Sequence, residues 1–214
     1  MSVAILTTRD RILNAALIEA SLEGLRGLSL GRLAGLLGLS KPGVVLPFGN
    51  KQGLQMAVLE AAMARFTTAV FTPSLQAPRG LPRLVAIFRY WLDWVETADG
   101  LPGGCPLIPA MREWDDLPGP LQDRLRDSHA QWVGTLEEFV RRAMRQGHLD
   151  NVGDPGLIAF QLYGLILEAQ QHARLLHDAA WRRHAETAFS QLIARHGAAP
   201  LAAFQYAQAS PNNA

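Results

Sequence analysis

Residues 29–51 read SLGRLAGLLGLSKPGVVLPFGNK, and their spacing decides the fold. Ser29 suits a helix N-cap, because its hydroxyl can accept one of the orphan N–H groups of a first turn. Leu30, Leu33, Ala34 and Leu37 then share one helical face. Gly38 stops that helix, since glycine takes the left-handed conformation without a Cβ clash. Ser40 caps a third helix, with Pro42 in its first turn, where a missing N–H removes no helical bond. That helix runs only to about Leu46, because Pro47 disfavours helix in the residue before it. Asn50 caps a fourth helix, with Leu54, Val58, Ala61, Ala62 and Phe66 as its stripe. A helix, a three-residue turn containing glycine and a short second helix have helix-turn-helix spacing. In such a unit the second helix lies in the major groove of DNA and its early residues meet base edges. Ala34 and Gly38 are small enough for the two helices to cross closely.

Upstream, residues 7–10 (TTRD) read as a capping box, followed by Ile12, Leu13, Ala16, Leu17 and Ala20 on one face. Gly24 and Gly27 end that helix. Downstream, residues 72–80 read as a Pro/Gly loop, then a helix covers 81–98, a break 100–104 and a short helix 105–114. A turn at 115–119 precedes a long helix over 120–146. Asp154 caps a helix opened by Pro155 and running to about Leu176. It is apolar over much of its surface (Leu157, Ile158, Phe160, Leu162, Leu165, Ile166, Leu167). A last helix covers 179–195, and residues 197–214 read as a frayed tail. No stretch alternates as a strand does, so the class is all-α.

The chain has 214 residues, of which 49% are apolar and 18% charged, enough for a sizeable core and not a disordered composition. Net charge is only +1, but its distribution is uneven. Residues 1–55 carry +3 and the remainder −2, a mildly basic head on a mildly acidic body, which suits a head that meets an anion. The only lysines are Lys41 and Lys51, on either side of the short apolar turn. Cys105 is the single cysteine, so no internal disulfide exists and a reducing, cytoplasmic setting fits. The apolar run at residues 3–6 is too short for a signal peptide or a membrane span, and no membrane partner is expected.

The segment from Arg11 to Leu54 resembles the N-terminal domain of TetR-family transcriptional regulators. The matching residues are Ile12-Leu13-Asn14-Ala15-Ala16, Gly24 and Gly27, Leu33-Ala34, Gly38-Leu39-Ser40, Gly43, and Phe48-Gly49-Asn50-Lys51-Gln52-Gly53-Leu54. Order and spacing agree over about a quarter of the chain. The Gly-Gly-Cys at 103–105 and the Ala-Arg-Leu-Leu-x-Asp at 173–178 look like features of some members. The resemblance implies a helix-turn-helix head at 1–55, joined through a shared fourth helix to a larger helical ligand-binding and dimerisation domain at 56–196. It implies a homodimer on an operator in double-stranded DNA, released by a small-molecule effector.

It also implies that Lys51 meets a DNA phosphate at the start of the fourth helix, where the helix dipole disfavours a cation without an anion. Lys41 at the start of the recognition helix can reach a phosphate or a guanine edge. Ser29 and Ser40 can add phosphate hydrogen bonds, and Arg32 is the other charged candidate. Pro42, Val44 and Val45 complete the expected DNA-facing set, with methyl groups for thymine. Family members usually carry tyrosine at position 45 and histidine at position 47. Val45 and Pro47 lack those polar groups, which weakens DNA binding or removes it.

All five tryptophans lie beyond residue 56. The expected ligand-lining set is Phe88, Trp91, Met111, Trp114, Trp132, Phe160 and Tyr163, though each also serves as plain core. The helix over 155–176 and the last helix, with Leu192 and Ile193, are the expected dimer partners. Glu168 and His172 stand i, i+4 but lack a third ligand, so no metal is expected. No nucleophile elbow, phosphate-cradling glycine loop or carboxylate pair is present, so neither catalysis nor a cofactor is expected. Two rivals remain: a dimeric helical ligand-binding or scaffold protein whose head no longer reads DNA, and, more weakly, an enzyme of the second domain.

Overall fold

The computed structural model describes residues 7–150 and 152–197. The apolar run at 3–6 lies outside the described residues, as does the expected tail from 198 onward. The helices are α1 (Thr8–Glu23), α2 (Leu30–Leu37), α3 (Lys41–Val45), α4 (Lys51–Phe66), α5 (Thr72–Ser74), α6 (Leu81–Thr97), α7 (Leu107–Glu113), α8 (Pro120–Arg145), α9 (Pro155–Arg174) and α10 (Trp181–Ala194). No strand occurs among the described residues.

The local signals act as their chemistry requires. Thr7 and Asp10 form the capping box of α1, and Gly24 ends it at φ 76°. Ser29 accepts from the Arg32 N–H at 3.3 Å and Ser40 from the Gly43 N–H at 3.1 Å. Gly38 closes α2 in the left-handed region. Asn50 Oδ1 accepts from the Gly53 N–H at 2.8 Å, and Asp154 Oδ1 from the Gly156 N–H at 2.9 Å.

The expected loop after α4 is shorter than its sequence suggests. The chain does not leave α4 for a loop over residues 72–80. It continues through π turns at Thr67–Phe71 into the one-turn α5, and only residues 75–80 form a loop. Pro73 is tolerated because the helix re-registers just before it. The ring then enters the first turn of α5, where no intrahelical N–H is needed.

Contacts divide the chain into two units. The first takes residues up to Phe66 together with residues 97–126. Its core is Ile12, Ala16, Leu17, Leu25, Leu28, Leu33, Val44, Leu54, Val58, Leu59 and Ala62, all essentially inaccessible. Apolar residues along α4 from Leu54 to Ala62 are buried, so the whole helix belongs to this unit. Gly103 binds the loop before α7 to α1: its N–H donates to Ser21 Oγ at 3.1 Å. A Cβ at Gly103 would lie 1.7 Å from the Ser21 carbonyl oxygen, so only glycine lets the two backbones approach. The Gly-Gly-Cys segment is therefore a packing device, and Cys105 is 6% exposed.

The second unit contains residues 67–96 and 127–197 of the described chain. In it α9 packs against α10, with Ile158, Leu162, Ile166, Phe189 and Ile193 buried. Arg182 on α10 reaches Asp93 at 2.5 Å and Glu96 at 2.9 Å on α6.

Val44 corrects the DNA-facing set. It is 0% exposed, so its methyls anchor the short α3 in the core and cannot touch DNA. Leu46, just beyond it, is 82% exposed and takes the outward place.

Two outcomes are expected in urea denaturation followed by circular dichroism. Gly103→Ala lowers the unfolding free energy by roughly 1–3 kcal/mol, while Gly134→Ala, in open space on α8, leaves it unchanged or raises it by up to about 1 kcal/mol. Val44→Ala costs about 1–3 kcal/mol through the cavity it leaves, whereas Leu46→Ala changes stability by no more than about 0.5 kcal/mol.

Candidate functional site

The surface around α3 is built from the ends of helices. α3 is a single turn, prolonged by a 3-10 turn at Leu46–Phe48. Lys41, Pro42, Leu46 and Pro47 are exposed, and Val45 is half-buried. Lys41 lies along α2 beside Gly31, where an added Cβ would stand 3.2 Å from its Cε. Lys51 is exposed at the first position of α4, and its Nζ approaches the Arg26 carbonyl oxygen at 3.4 Å. That long contact holds the ammonium at the helix end while leaving its other donors to the outside.

Arg32 is differently placed. Its Nε stands 3.2 Å from Glu19 Oε1 and its Nη1 3.0 Å from Glu23 Oε1. The Glu23 bond first, then the charges of Glu19 and Glu23, raise its pKa further. This guanidinium closes α2 onto α1 and must leave two carboxylates to meet a phosphate. Ser29 and Ser40 each accept one cap bond, which leaves the hydroxyl proton to be donated to a phosphate. Arg9, not singled out from the sequence, lies over the Phe48 ring at 5.0 Å. Nothing local in the sequence signals that pairing.

In the second unit an aromatic column runs from Phe139 to Phe71 (6.3 Å between centroids), then Trp132 (6.3 Å), Trp91 (5.1 Å) and Tyr163 (5.3 Å). His129 meets Tyr163 at 5.1 Å, and burial lowers its pKa below the usual histidine value. Of the expected ligand-lining residues, Trp91, Trp132 and Tyr163 join this column. Phe88 forms a separate stack with Phe189 at 4.2 Å. Met111 and Trp114 belong to the other unit. Phe160 does not line an interior: it is 74% exposed on α9, which corrects that assignment. The sequence could not orient it, because α9 is apolar nearly all round. Phe71, brought to the column by the π turn, was missed because it stood beside an expected loop.

His172 faces Asp178 at 3.0 Å and Glu168 at 3.2 Å. The Asp178 bond chiefly raises its pKa, as an ion pair at the end of α9 would. No group of three or more metal-ligating residues is found among the described residues. None of their helices is long and apolar enough to cross a membrane.

A family profile described as the tetracyclin repressor-like C-terminal domain matches residues 80–189. Curated proteins give no match. Among solved structures, a TetR-family transcriptional regulator from Cytophaga hutchinsonii is similar with TM-score 0.77 and 20% identity, over 90% of this chain and 98% of that one. AibR, solved with isovaleryl coenzyme A and operator DNA, gives TM-score 0.71 and 23% identity over 86% and 97%. FadR from Bacillus subtilis, solved with stearoyl-CoA, gives 0.68 and 14% over 86% and 96%. The profile spans more than half of the chain, and the head has helix-turn-helix geometry: the chain belongs to the TetR family of transcriptional regulators.

Proposed function

We propose that the protein is a homodimeric, cytoplasmic repressor that leaves its operator when a small apolar or amphipathic molecule binds its helical domain. The reading rests on one observation above others. The only two lysines stand exposed at the first positions of α3 and α4, with Val44 anchoring the turn between them. Phosphates would be met by Lys41, Lys51 and the hydroxyls of Ser29 and Ser40. Pro42, Val45 and Leu46 would offer apolar contacts, and Arg32 a conditional charge. AibR, of similar fold, was solved with operator DNA, which supports this assignment.

In functional terms residues 1–55 read DNA, and 56–196 bind effector and partner. The effector would lie along Trp91, Trp132 and Tyr163. Acyl-coenzyme A ligands in AibR and FadR support an amphipathic class. Coupling would run along the chain itself. Phe71 in the column and Lys51 at the DNA-facing end belong to one run of helix with no intervening loop. A ligand that favours one position of Phe71 then favours one placement of α4, and that differential affinity is what release requires.

The dimer would form through α9 and α10. Leu157, Phe160 and Leu167 are exposed on α9 at helical spacing, an apolar stripe that a lone subunit would leave in water. One recognition helix of five residues also makes too few contacts for useful specificity, so two half-sites are needed. The rival, a helical dimer whose head has lost DNA recognition, is favoured by the apolar Val45 and Pro47.

Fluorescence anisotropy on DNA from upstream of its own gene and its neighbours, at several salt concentrations, tests the reading. Specific binding that weakens with salt is expected, with Lys41→Ala and Lys51→Ala each reducing the salt slope by about 1. Selection from random DNA that recovers no preferred sequence would favour the rival. In sedimentation at micromolar concentration the wild type is expected as a dimer and Phe160→Arg as a monomer; a wild-type monomer would remove the dimer.

A further inference from the structure

In the second unit, the turn before α6 and the C-terminal end of α8 border an open cleft of about 290 Å³ lined by Arg79, Arg142, Arg145 and Gln146. Its size is close to the lower end of small-molecule sites, roughly 300 Å³. The wall is built by close approach. Gly80 takes φ 85°, and a Cβ there would lie 2.1 Å from Gln146 Oε1 and 2.4 Å from His148 Nδ1. The Leu81 N–H donates to His148 Nδ1 at 3.2 Å and fastens the turn to the end of α8.

The charge around the cleft is one-sided. Arg142 and Arg145 share one carboxylate, Glu138, at 2.7 and 2.8 Å, and these arginines hold that carboxyl at about 2. Arg83, close by, gives its guanidinium to the Leu75 and Ala77 carbonyls at 2.9 Å, which carry no charge. Burial, then repulsion from Arg79 and Arg142, lowers its pKa. Arg79 is exposed and has no carboxylate at ion-pair distance among the described residues. The α8 dipole accounts for Arg142 and Arg145 at a helix C-terminus. It does not account for Arg79, which a glycine turn brings from another element to the same cleft.

We propose that this cleft binds the diphosphate group of a small molecule. Guanidinium forks match phosphate oxygens two at a time, and forks from two elements suit a group with oxygens on two phosphorus atoms. The Gln146 amide adds a neutral donor. The site stands without the regulator reading, because none of its residues belongs to the unit that carries α3 and it needs no DNA.

Isothermal titration calorimetry of the full chain with inorganic pyrophosphate, and separately with ADP, tests the proposal. Saturable binding is expected, with Kd raised about tenfold in Arg79→Ala and in Arg145→Ala, the loss of one charged hydrogen-bonding partner. Arg112→Ala, an exposed cation of the other unit, leaves Kd unchanged. Arg79 holds no ion pair among the described residues, so Arg79→Ala is expected to melt like the wild type and separates binding from folding. Tighter binding of ADP assigns the group to an ester, and tighter pyrophosphate to the free anion; either supports the site. Absence of binding by both probes overturns it. So does binding that survives Arg79→Ala and Arg145→Ala, or that is lost in Lys51→Ala, which would put the anion on the DNA-facing head.

Discussion

The turn at residues 24–28 leaves backbone groups that no helix can satisfy, and the N-terminal unit is organised around supplying their partners. Gln55 of α4, itself buried, donates to the Leu25 carbonyl at 2.9 Å. Lys51 approaches the Arg26 carbonyl, and Glu113 of α7 accepts from the Arg26 N–H at 3.2 Å. Glu19 of α1 accepts from the Ser29 N–H at 2.9 Å while meeting Arg32. A buried polar group without a partner costs about 1–3 kcal/mol, which makes the buried Gln55 bond obligatory, while the bonds at the exposed Arg26 add modestly. They fix α1, α2, α4 and α7 around one turn. The left-handed Gly24 belongs to the same arrangement, since a Cβ there would meet Glu113 Oε1 at 1.8 Å.

That organisation leaves α3 and the first turn of α4 at its rim. α2 is tied to α1 by Arg32 and the Glu19 carboxylate, and α3 is held by Val44 in the core. The surface left over is short and mostly apolar, with cations only at its edges. Such an edge suits positioning on phosphates better than reading of bases, for which hydrogen-bonding side chains in the groove are the usual means. The second unit has a different economy. An aromatic column runs through it, with Arg83 over the Phe139 ring at 5.9 Å and the arginine-lined cleft in the same unit. An apolar body and an anionic head on one ligand would find matching chemistry within a single unit.

Much of this was legible in the chain. Caps at Thr7, Ser29, Ser40, Asn50 and Asp154, and the stops at Gly24 and Gly38, depend on chemistry within a few residues, so spacing alone located them. The helix-turn-helix followed, and with it the positions of Lys41 and Lys51 at the first turns of α3 and α4. The stretch around residues 67–74 was not legible, because a proline that looks like a helix stop is absorbed by a π turn. The roles of Val44 and Phe160 were not legible either. In a helix of five residues one apolar position must face in, and nothing in KPGVV says which valine does. In α9 the apolar residues run nearly round the helix, so periodicity gives no side.

The sequence by itself determined the all-helical class, the helix ends and the head motif, because hydrogen bonds and dihedral preferences between near neighbours settle those. Tertiary structure alone decided that Val44 is core and Leu46 surface, that Arg32 is held by two glutamates, that Phe71 joins Trp132, and that Arg79 lines the same cleft as Arg142 and Arg145. Each of these depends on groups brought together from distant parts of the chain, and the burial and charge that one segment imposes on another are properties of the packed surface, with no local pattern to announce them.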